Sequence, residues 1–292
     1  MSAVLFALLS GLSWGASDFS GALATKEDNA ILVTIGVQVV SLLSLIAIIL
    51  TFGTGTFTLG DMAWGALGGV SGSIGLVTFY RALARGPMSV AASITALVSS
   101  LLPVLAGVAL GEVPAPLQMG GAALAIPATL LVSVGGMSIR SIFANPRDRV
   151  VAMSGAGQTR ALALLAGFGF GIFFIALSRT SEDGGLYPLL GARAASIPLL
   201  ALALTATKAW SKPRRAGLPH VATAGVLDCG ANSFYLLALD TGAFTWVAAI
   251  SSLYPVSTVL LARLVLGERI RPPQIAGLGL AGVALFLVSA GA

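Results

Sequence analysis

Apolar residues gather into long runs along this chain, broken at short intervals by glycine, proline or charge. A helix that crosses a bilayer needs about 20 mostly apolar residues. Ten stretches approach that length: 3–24, 30–52, 62–82, 88–110, 117–136, 161–178, 186–207, 219–239, 243–264 and 274–291. The runs are continuous rather than alternating with a period of two, which predicts helices and not the strands of a membrane barrel. The first run has no basic segment ahead of it and matches an internal run, so it reads as a retained helix rather than a cleaved signal. The longest polar break, 137–160, holds Arg140, Asn145, Arg147, Asp148, Arg149 and Arg160. It separates a first unit, 1–136, from a second, 161–292.

The pattern contains an internal repeat. Sliding the chain along itself by 156 residues registers the two halves without a gap. Gly11 falls on Gly167, Trp14 on Phe170, Gly15 on Gly171, Phe79 on Tyr235, Leu110-Gly111-Glu112 on Leu266-Gly267-Glu268, and Gln118 on Gln274. Comparison of 1–136 with 157–292 gives 32 identities, 21 of them within 81–136. Each half holds five runs. Five is odd, so the second half enters the membrane from the opposite side, the inverted-repeat plan of many secondary transporters. The predicted fold class is therefore an all-α integral membrane protein, ten transmembrane helices in two inverted five-helix repeats.

Composition and charge sharpen this picture. Charged residues make up 9% of the 292 and hydrophobic ones 57%. About 25% charge is usual for a soluble domain, so the bilayer is part of this protein's solvent. With the N-terminal end of the first run on side A, 14 of the 16 basic residues fall on side B, Arg179 falls on side A, and Arg193 lies within a span. The positive-inside rule makes side B the cytoplasm, which puts both termini on the other side. The net charge of +5 thus speaks of topology and not of nucleic acid, for which no partner role is expected. One cysteine, Cys229, permits no intrachain disulfide, and one histidine, His220, with scattered acids, argues against a metal site.

The residues Ser13-Trp14-Gly15, Phe79-Tyr80-Arg81-Ala82-Leu83, Phe234-Tyr235-Leu236-Leu237-Ala238-Leu239, Pro255 and Leu266-Gly267-Glu268, in this order and duplicated, give the chain its resemblance. It resembles the ten-helix EamA-type members of the drug/metabolite transporter superfamily over nearly its whole length, and looks most like YddG-type exporters of aromatic and other neutral amino acids. The first half departs by placing its proline at Pro103, with Ser99 opposite Pro255. The resemblance implies facilitated or proton-coupled movement of small organic solutes, usually outward, across a bacterial inner membrane.

Several residues inside the spans are candidates for contact with a solute. Trp14 lies near mid-depth, where a belt tryptophan would lie near an end; it reads as a cavity wall or a packed core aromatic, and Phe170 is its repeat partner. Asp228, Asn232 and Tyr235 are spaced i, i+4, i+7 on one helical face. An ionisable residue in a span faces protein or a water-filled cavity, so Asp228 reads as part of a substrate or proton stripe, or as a partner of Arg193. Arg193 reads as half of that ion pair or as snorkelling toward side A, with capture of a substrate carboxylate as the functional alternative. Asp18, one turn after Trp14, is either a proton site or a residue reaching cytoplasmic water. Ser99, Ser100, Ser251, Ser252 and Tyr254 lie midway along the fourth and ninth runs, as substrate ligands or as hydroxyls bonded within the bundle. Phe79 completes the aromatic set.

Glycine pairs such as Gly11/Gly15, Gly65/Gly69 and Gly167/Gly171 have small-xxx-small spacing and read as packing sites. Gly277, Gly279 and Gly282 spell a dinucleotide-binding pattern, but they lie inside the last apolar run with no strand before them. Gly111-Glu112 and Gly267-Glu268 read as helix-ending signals, not as catalytic groups. No cofactor is expected, and no P-loop is visible to use ATP. The reading is a secondary exporter of neutral or aromatic amino acids that works as a monomer in the lipid bilayer, by alternating access around a central cavity. The alternatives are an exporter of drugs or other metabolites on the same fold, and a membrane-embedded enzyme acting on lipid, which lacks the clustered acids or histidines it would need.

Overall fold

The computed structural model describes residues 2–53, 55–85, 88–133, 146–267 and 272–291. Arg140 and Asn145 of the central break, and Glu268, Arg269, Ile270 and Arg271 before the last run, lie outside the described residues. Among the described residues the regular elements are helices: α1 (Ser2–Thr25), α2 (Ala30–Phe52), α3 (Leu59–Arg85), α4 (Met88–Ala109), α5 (Pro116–Ser133), α6 (Pro146–Leu177), α7 (Tyr187–Ala206), α8 (Leu218–Leu239), α9 (Phe244–Ser251), α10 (Pro255–Leu266) and α11 (Pro272–Ala290), with a 3₁₀ turn at Glu182–Gly184.

Local chemistry sets the ends. The Asn29 side chain accepts from Ile31 N at 2.8 Å and caps α2. Gly53, at φ +59°, closes that helix by donating its N–H to Ile49 O. Thr58 caps α3 by accepting from Asp61 N at 3.1 Å.

Two elements differ from the sequence expectation. The sixth helix starts at Pro146 rather than at 161, because proline is well suited to a first helical turn and nothing between it and Gly157 breaks a helix; the span-grade apolar part is Gly157–Leu177. The ninth run, expected as one helix, is two. Pro255 has no N–H to give to Ser251 O, and the chain turns through 252–254 with Leu253 N donating to Ile250 O at 3.0 Å before α10 begins. Pro103, by contrast, sits inside an unbroken α4. Among the described residues seven segments have the length and hydropathy of a membrane span: α1, α2, α3, the later part of α6, α7, α8, and α9 with α10 taken together. Shorter apolar stretches occupy α4 (Ile94–Ala109) and α11 (Pro272–Val288).

The packing couples the two halves of the chain. α1 packs on α8 and α3 on α6; α3 packs on α7 and α8 on α2; α4 packs on α6, and α9 with α10 on α1; α2 meets α7 and α5 meets α11. Shifting every element by one repeat maps this set of contacts onto itself. Bare glycine surfaces allow the close approaches. A Cβ on Gly11 would lie 2.9 Å from Ser251 O, and one on Gly15 would strike Ser257 Oγ and Tyr254 O. In the other half a Cβ on Gly167 would lie 2.9 Å from Thr95 O, and one on Gly171 2.7 Å from Leu102. Thr95 and Leu102 stand 156 residues before Ser251 and Thr258, so the same contact is made twice. Hydroxyls then bond across the seam that the glycines bring together: Thr258 Oγ1 donates to Gly15 O at 3.0 Å and Ser251 Oγ to Ala7 O at 3.3 Å.

The connections are tied in matching pairs. Asp61, buried at the start of α3, accepts from Ser181 N (2.7 Å), Ser181 Oγ (2.6 Å) and Thr58 Oγ1 (2.7 Å), joining the α2–α3 connection to the α6–α7 connection. Asp28 accepts from Arg214 N at 2.9 Å, joining α1–α2 to α7–α8. Glu112 follows Gly111, whose φ of +90° ends α4. Its carboxylate accepts from Phe244 N (3.0 Å), Thr245 N (2.8 Å) and Thr245 Oγ1 (2.5 Å), capping α9 from across the repeat. The helix-ending glycine was legible; this cap was not. Removing it exposes free N–H groups at the start of α9. We expect Glu112→Ala to lower stability by about 2 kcal/mol, read as a drop in the thermal midpoint of the detergent-solubilised protein, with Glu112→Gln retaining part of it.

Candidate functional site

A cavity lies where α1, α2, α3, α6, α7 and α8 converge, with Tyr254 of the broken ninth segment at its wall. Each helix contributes residues from its middle: Trp14, Ser17 and Asp18 from α1, Gln38 from α2, Ser73 and Leu76 from α3, and Asp228 and Asn232 from α8. The cavity has a volume of about 60 Å³; one water needs ~10–15 Å³, so the space admits several waters or a small solute.

One wall is aromatic. Trp14, Phe170, Phe173 and Phe174 line it. Trp14 meets Phe174 at 5.1 Å between ring centroids and Phe173 at 6.4 Å. A second layer supports these rings: Tyr235 backs Trp14 at 5.5 Å, and Phe79 backs Phe170 at 6.0 Å. Phe79 and Tyr235 are repeat partners, as are Trp14 and Phe170, so the layered pair is built twice, each time from one ring of either half.

Other lining residues are polar. Arg193, 3% exposed, reaches Asp228 Oδ2 from Nη2 at 2.5 Å. Ser41 Oγ donates to the same Oδ2 at 2.8 Å and accepts from Arg193 Nη2 at 3.0 Å. Asn232 Nδ2 donates to Asp228 O at 2.6 Å, and Ser196 Oγ donates to Gln38 Oε1 at 3.4 Å. α2, α7 and α8 are thereby joined across the repeat boundary. Not every polar group here is satisfied. Arg193 Nε, Asn232 Oδ1 and Tyr254 Oη are buried without a hydrogen-bond partner among the described residues. Buried polar atoms are nearly always paired; three unpaired ones on residues that line a single cavity mark the place where a polar solute or water completes the set. Among the described residues Asp18 takes part in no ion pair.

Of the residues singled out from sequence, Trp14, Asp18, Phe170, Arg193, Asp228, Asn232 and Tyr254 line this cavity. Phe79 and Tyr235 stand behind it. Ser99 and Ser100 bond back to their own helix at Ala96 O, as Ser252 does at Ala248 O, and Ser251 bonds to α1. Gln38, Ser41, Ser17, Phe173 and Phe174 were not singled out. For the first two a signal existed: Thr34, Gln38 and Ser41 recur at i, i+4, i+7 in an otherwise apolar helix, and all three are buried.

A second, more polar hollow lies at the outer ends of α6, α8 and α9, lined by Glu112, Ser178, Ser181, Glu182 and Asp240 among others. Desolvation and the neighbouring Glu182 charge push the Asp240 carboxyl above its usual range. Among the described residues no group of histidines, cysteines and acids is arranged to hold a metal ion.

A model of the EamA-like transporter family matches residues 1–134 and, a second time, residues 159–290. One similar solved structure, a crystal structure described only as that of a protein, aligns with a TM-score of 0.75 at 18% identity, over 100% of this chain and 99% of the other. That likeness shows a shared fold. No curated protein matches the chain.

Proposed function

Because the chain belongs to the EamA-like transporter family, and is thus a multi-pass membrane protein of a family that moves small solutes, we propose that it exports neutral amino acids, aromatic ones included, through the cavity between its halves. One observation carries this reading: aromatic rings from both halves and unpaired buried polar atoms of the second half meet around one partly open cavity. An amphiphile with an apolar side chain and polar backbone groups matches such a wall on both sides.

Ten spanning helices in two inverted repeats are the architecture that this reading takes. It is supported by the odd number of runs per half, by the interchange of contacts under the repeat shift, and by the contact between connections assigned to the same side, Asp28 with Arg214 and Asp61 with Ser181. Alternating access follows as a rocking of the four leading helices of one repeat against those of the other. α5 and α11 pack on each other through Gly121, Ala284 and Val288, have no side chain in the cavity lining among the described residues, and serve as supports. The excess of basic residues in the connections of side B supports a cytoplasmic side B, and the reading takes the membrane to be a bacterial inner membrane.

The test is counterflow uptake of labelled phenylalanine and leucine into proteoliposomes, with Trp14→Ala and Asn232→Ala beside the parent. Saturable uptake by the parent, at least tenfold reduced in variants that keep the parent's thermal midpoint, is the expected result. Parent uptake equal to that of empty liposomes for both solutes would remove the amino-acid assignment.

A further inference from the structure

We propose that the cavity selects its solute by an ammonium group seated against Asp18 and the aromatic wall, so that a small arylalkylammonium ion with no carboxylate binds at least as well as the matching amino acid. This rests on the reading of the cavity as the solute site. It goes beyond that reading by naming which end of the solute is recognised.

The argument is one of charge and of vacant hydrogen-bonding positions. Three ionisable groups of opposite kinds line the space: Asp18, Arg193 and Asp228. Arg193 and Asp228 are in contact at 2.5 Å and neutralise each other, with Ser41 bridging them. Asp18 has no such partner among the described residues. Asp18 interacts electrostatically with Asp228 of α8, Tyr80 of α3 and Tyr254. None of these brings a positive charge. The lining therefore holds one carboxyl group without a counter-ion inside a span, where its charged form is expensive until a cation arrives. An incoming cation supplies the counter-ion; an incoming anion meets two carboxylates and a guanidinium already engaged.

The remaining features agree with a cation. Asn232 Oδ1 is a buried, unpartnered acceptor, because its amide nitrogen is turned toward Asp228 O. Asp18 and Asn232 together offer acceptors to an ammonium, which has only donors to give. The rings of Trp14, Phe170, Phe173 and Phe174 present the π surface that attracts a desolvated cation. The unpartnered donors, Arg193 Nε and Tyr254 Oη, give a carboxylate somewhere to bind when the solute has one. Arg193 lacks a free charge with which to demand it. The carboxylate of an amino acid is thus tolerated, and the ammonium is required.

The experiment uses the full-length protein in lipid nanodiscs, titrated calorimetrically with 2-phenylethylamine, phenylalanine and 3-phenylpropionate. The ligands share the ring and differ in charge. We expect 2-phenylethylamine to bind at least as tightly as phenylalanine and at least tenfold more tightly than 3-phenylpropionate. Asp18→Asn should weaken the amine at least tenfold without weakening the acid, and Asp18→Glu should recover most of the loss. Tighter binding of the acid than of the amine, or amine affinity unchanged in Asp18→Asn, overturns the assignment. Should Asp18→Asn fail to fold, the ranking of the three ligands by the parent decides alone. Trp14→Ala separates the two levels of the argument. A reversed ranking whose binding is lost in Trp14→Ala refutes the ammonium selection and leaves the cavity as the site. Saturable binding of no ligand refutes both.

Discussion

Asp228→Leu is expected to lower stability by about 3–5 kcal/mol, and Arg193→Met by a similar amount, whereas the double variant recovers most of the loss. The reason is the burial of the pair. Arg193 is 3% exposed and its contact with Asp228 lies in mid-span, so removing one partner leaves the other as a lone ion away from water. Removing both leaves no ion, and Met and Leu fill much of the same volume. Ser41, which both donates to Asp228 and accepts from Arg193, can turn back to its own helix as Thr34 does. The measurement is the thermal midpoint of the four proteins in one detergent, closed as a double-mutant cycle. Losses that simply add in the double variant would mean that each residue is held by something other than its partner. The double variant also separates structure from transport. If it is folded and still moves solute, the pair is a brace between α7 and α8. If it is folded and silent, the unpaired Nε of Arg193 is needed by the solute itself.

The ends of most helices were legible because their punctuation is chemical: Asn29 before α2, the left-handed Gly53 after it, Gly111 after α4. So was the pairing of Arg193 with Asp228, since each was the natural partner for the other in an apolar setting. The depth of Trp14 placed it on the cavity wall for the same reason that a belt residue would have been placed elsewhere. Periodicity failed where the signal depended on the neighbouring helix. Phe79 and Tyr235 carry the same aromatic signature as Trp14 and Phe170, and only tertiary packing decides that the first pair stands behind the second. Position alone leaves Ser99 and Ser251 open between solute ligand and hydroxyl bonded within the bundle; in the structure Ser99 bonds to its own helix and Ser251 to a carbonyl of α1. Gln38 and Ser41 went unnoticed in α2, whose high hydrophobicity hid a three-residue polar stripe. The ninth run was expected as one helix; Pro255 splits it, and Gly11 and Gly15 of α1 approach the carbonyls of Ser251 and Tyr254 beside the break.

That approach sets the second large effect. Gly15→Leu is expected to cost about 3 kcal/mol or more, the upper range for overpacking, and to reduce the yield of monodisperse protein. A Cβ at Gly15 would strike Tyr254 O and Ser257 Oγ, and one at Gly11 would lie 2.9 Å from Ser251 O. Two of these three obstacles are backbone oxygens, which cannot rotate away as a side-chain end can. In a bilayer little hydrophobic force holds one apolar helix on another, so the close backbone contact and its hydrogen bonds are what secure α1 there. Leucine at Gly15 displaces α1 and breaks the Thr258–Gly15 and Ser251–Ala7 bonds with the same movement. The control is Gly282→Leu in α11, where an added Cβ meets nothing within 4 Å; the expected change there is within ~0.5 kcal/mol. Equal behaviour of the two variants would mean that glycine spacing in α1 reflects composition and not contact. The prediction reaches function as well, because Trp14 and Asp18 flank Gly15 on the same helix. Gly15→Ala, the smaller insult, should therefore weaken solute binding before it unfolds the protein. An Ala variant with the parent's affinity and a lowered midpoint would show instead that the seam and the cavity move independently.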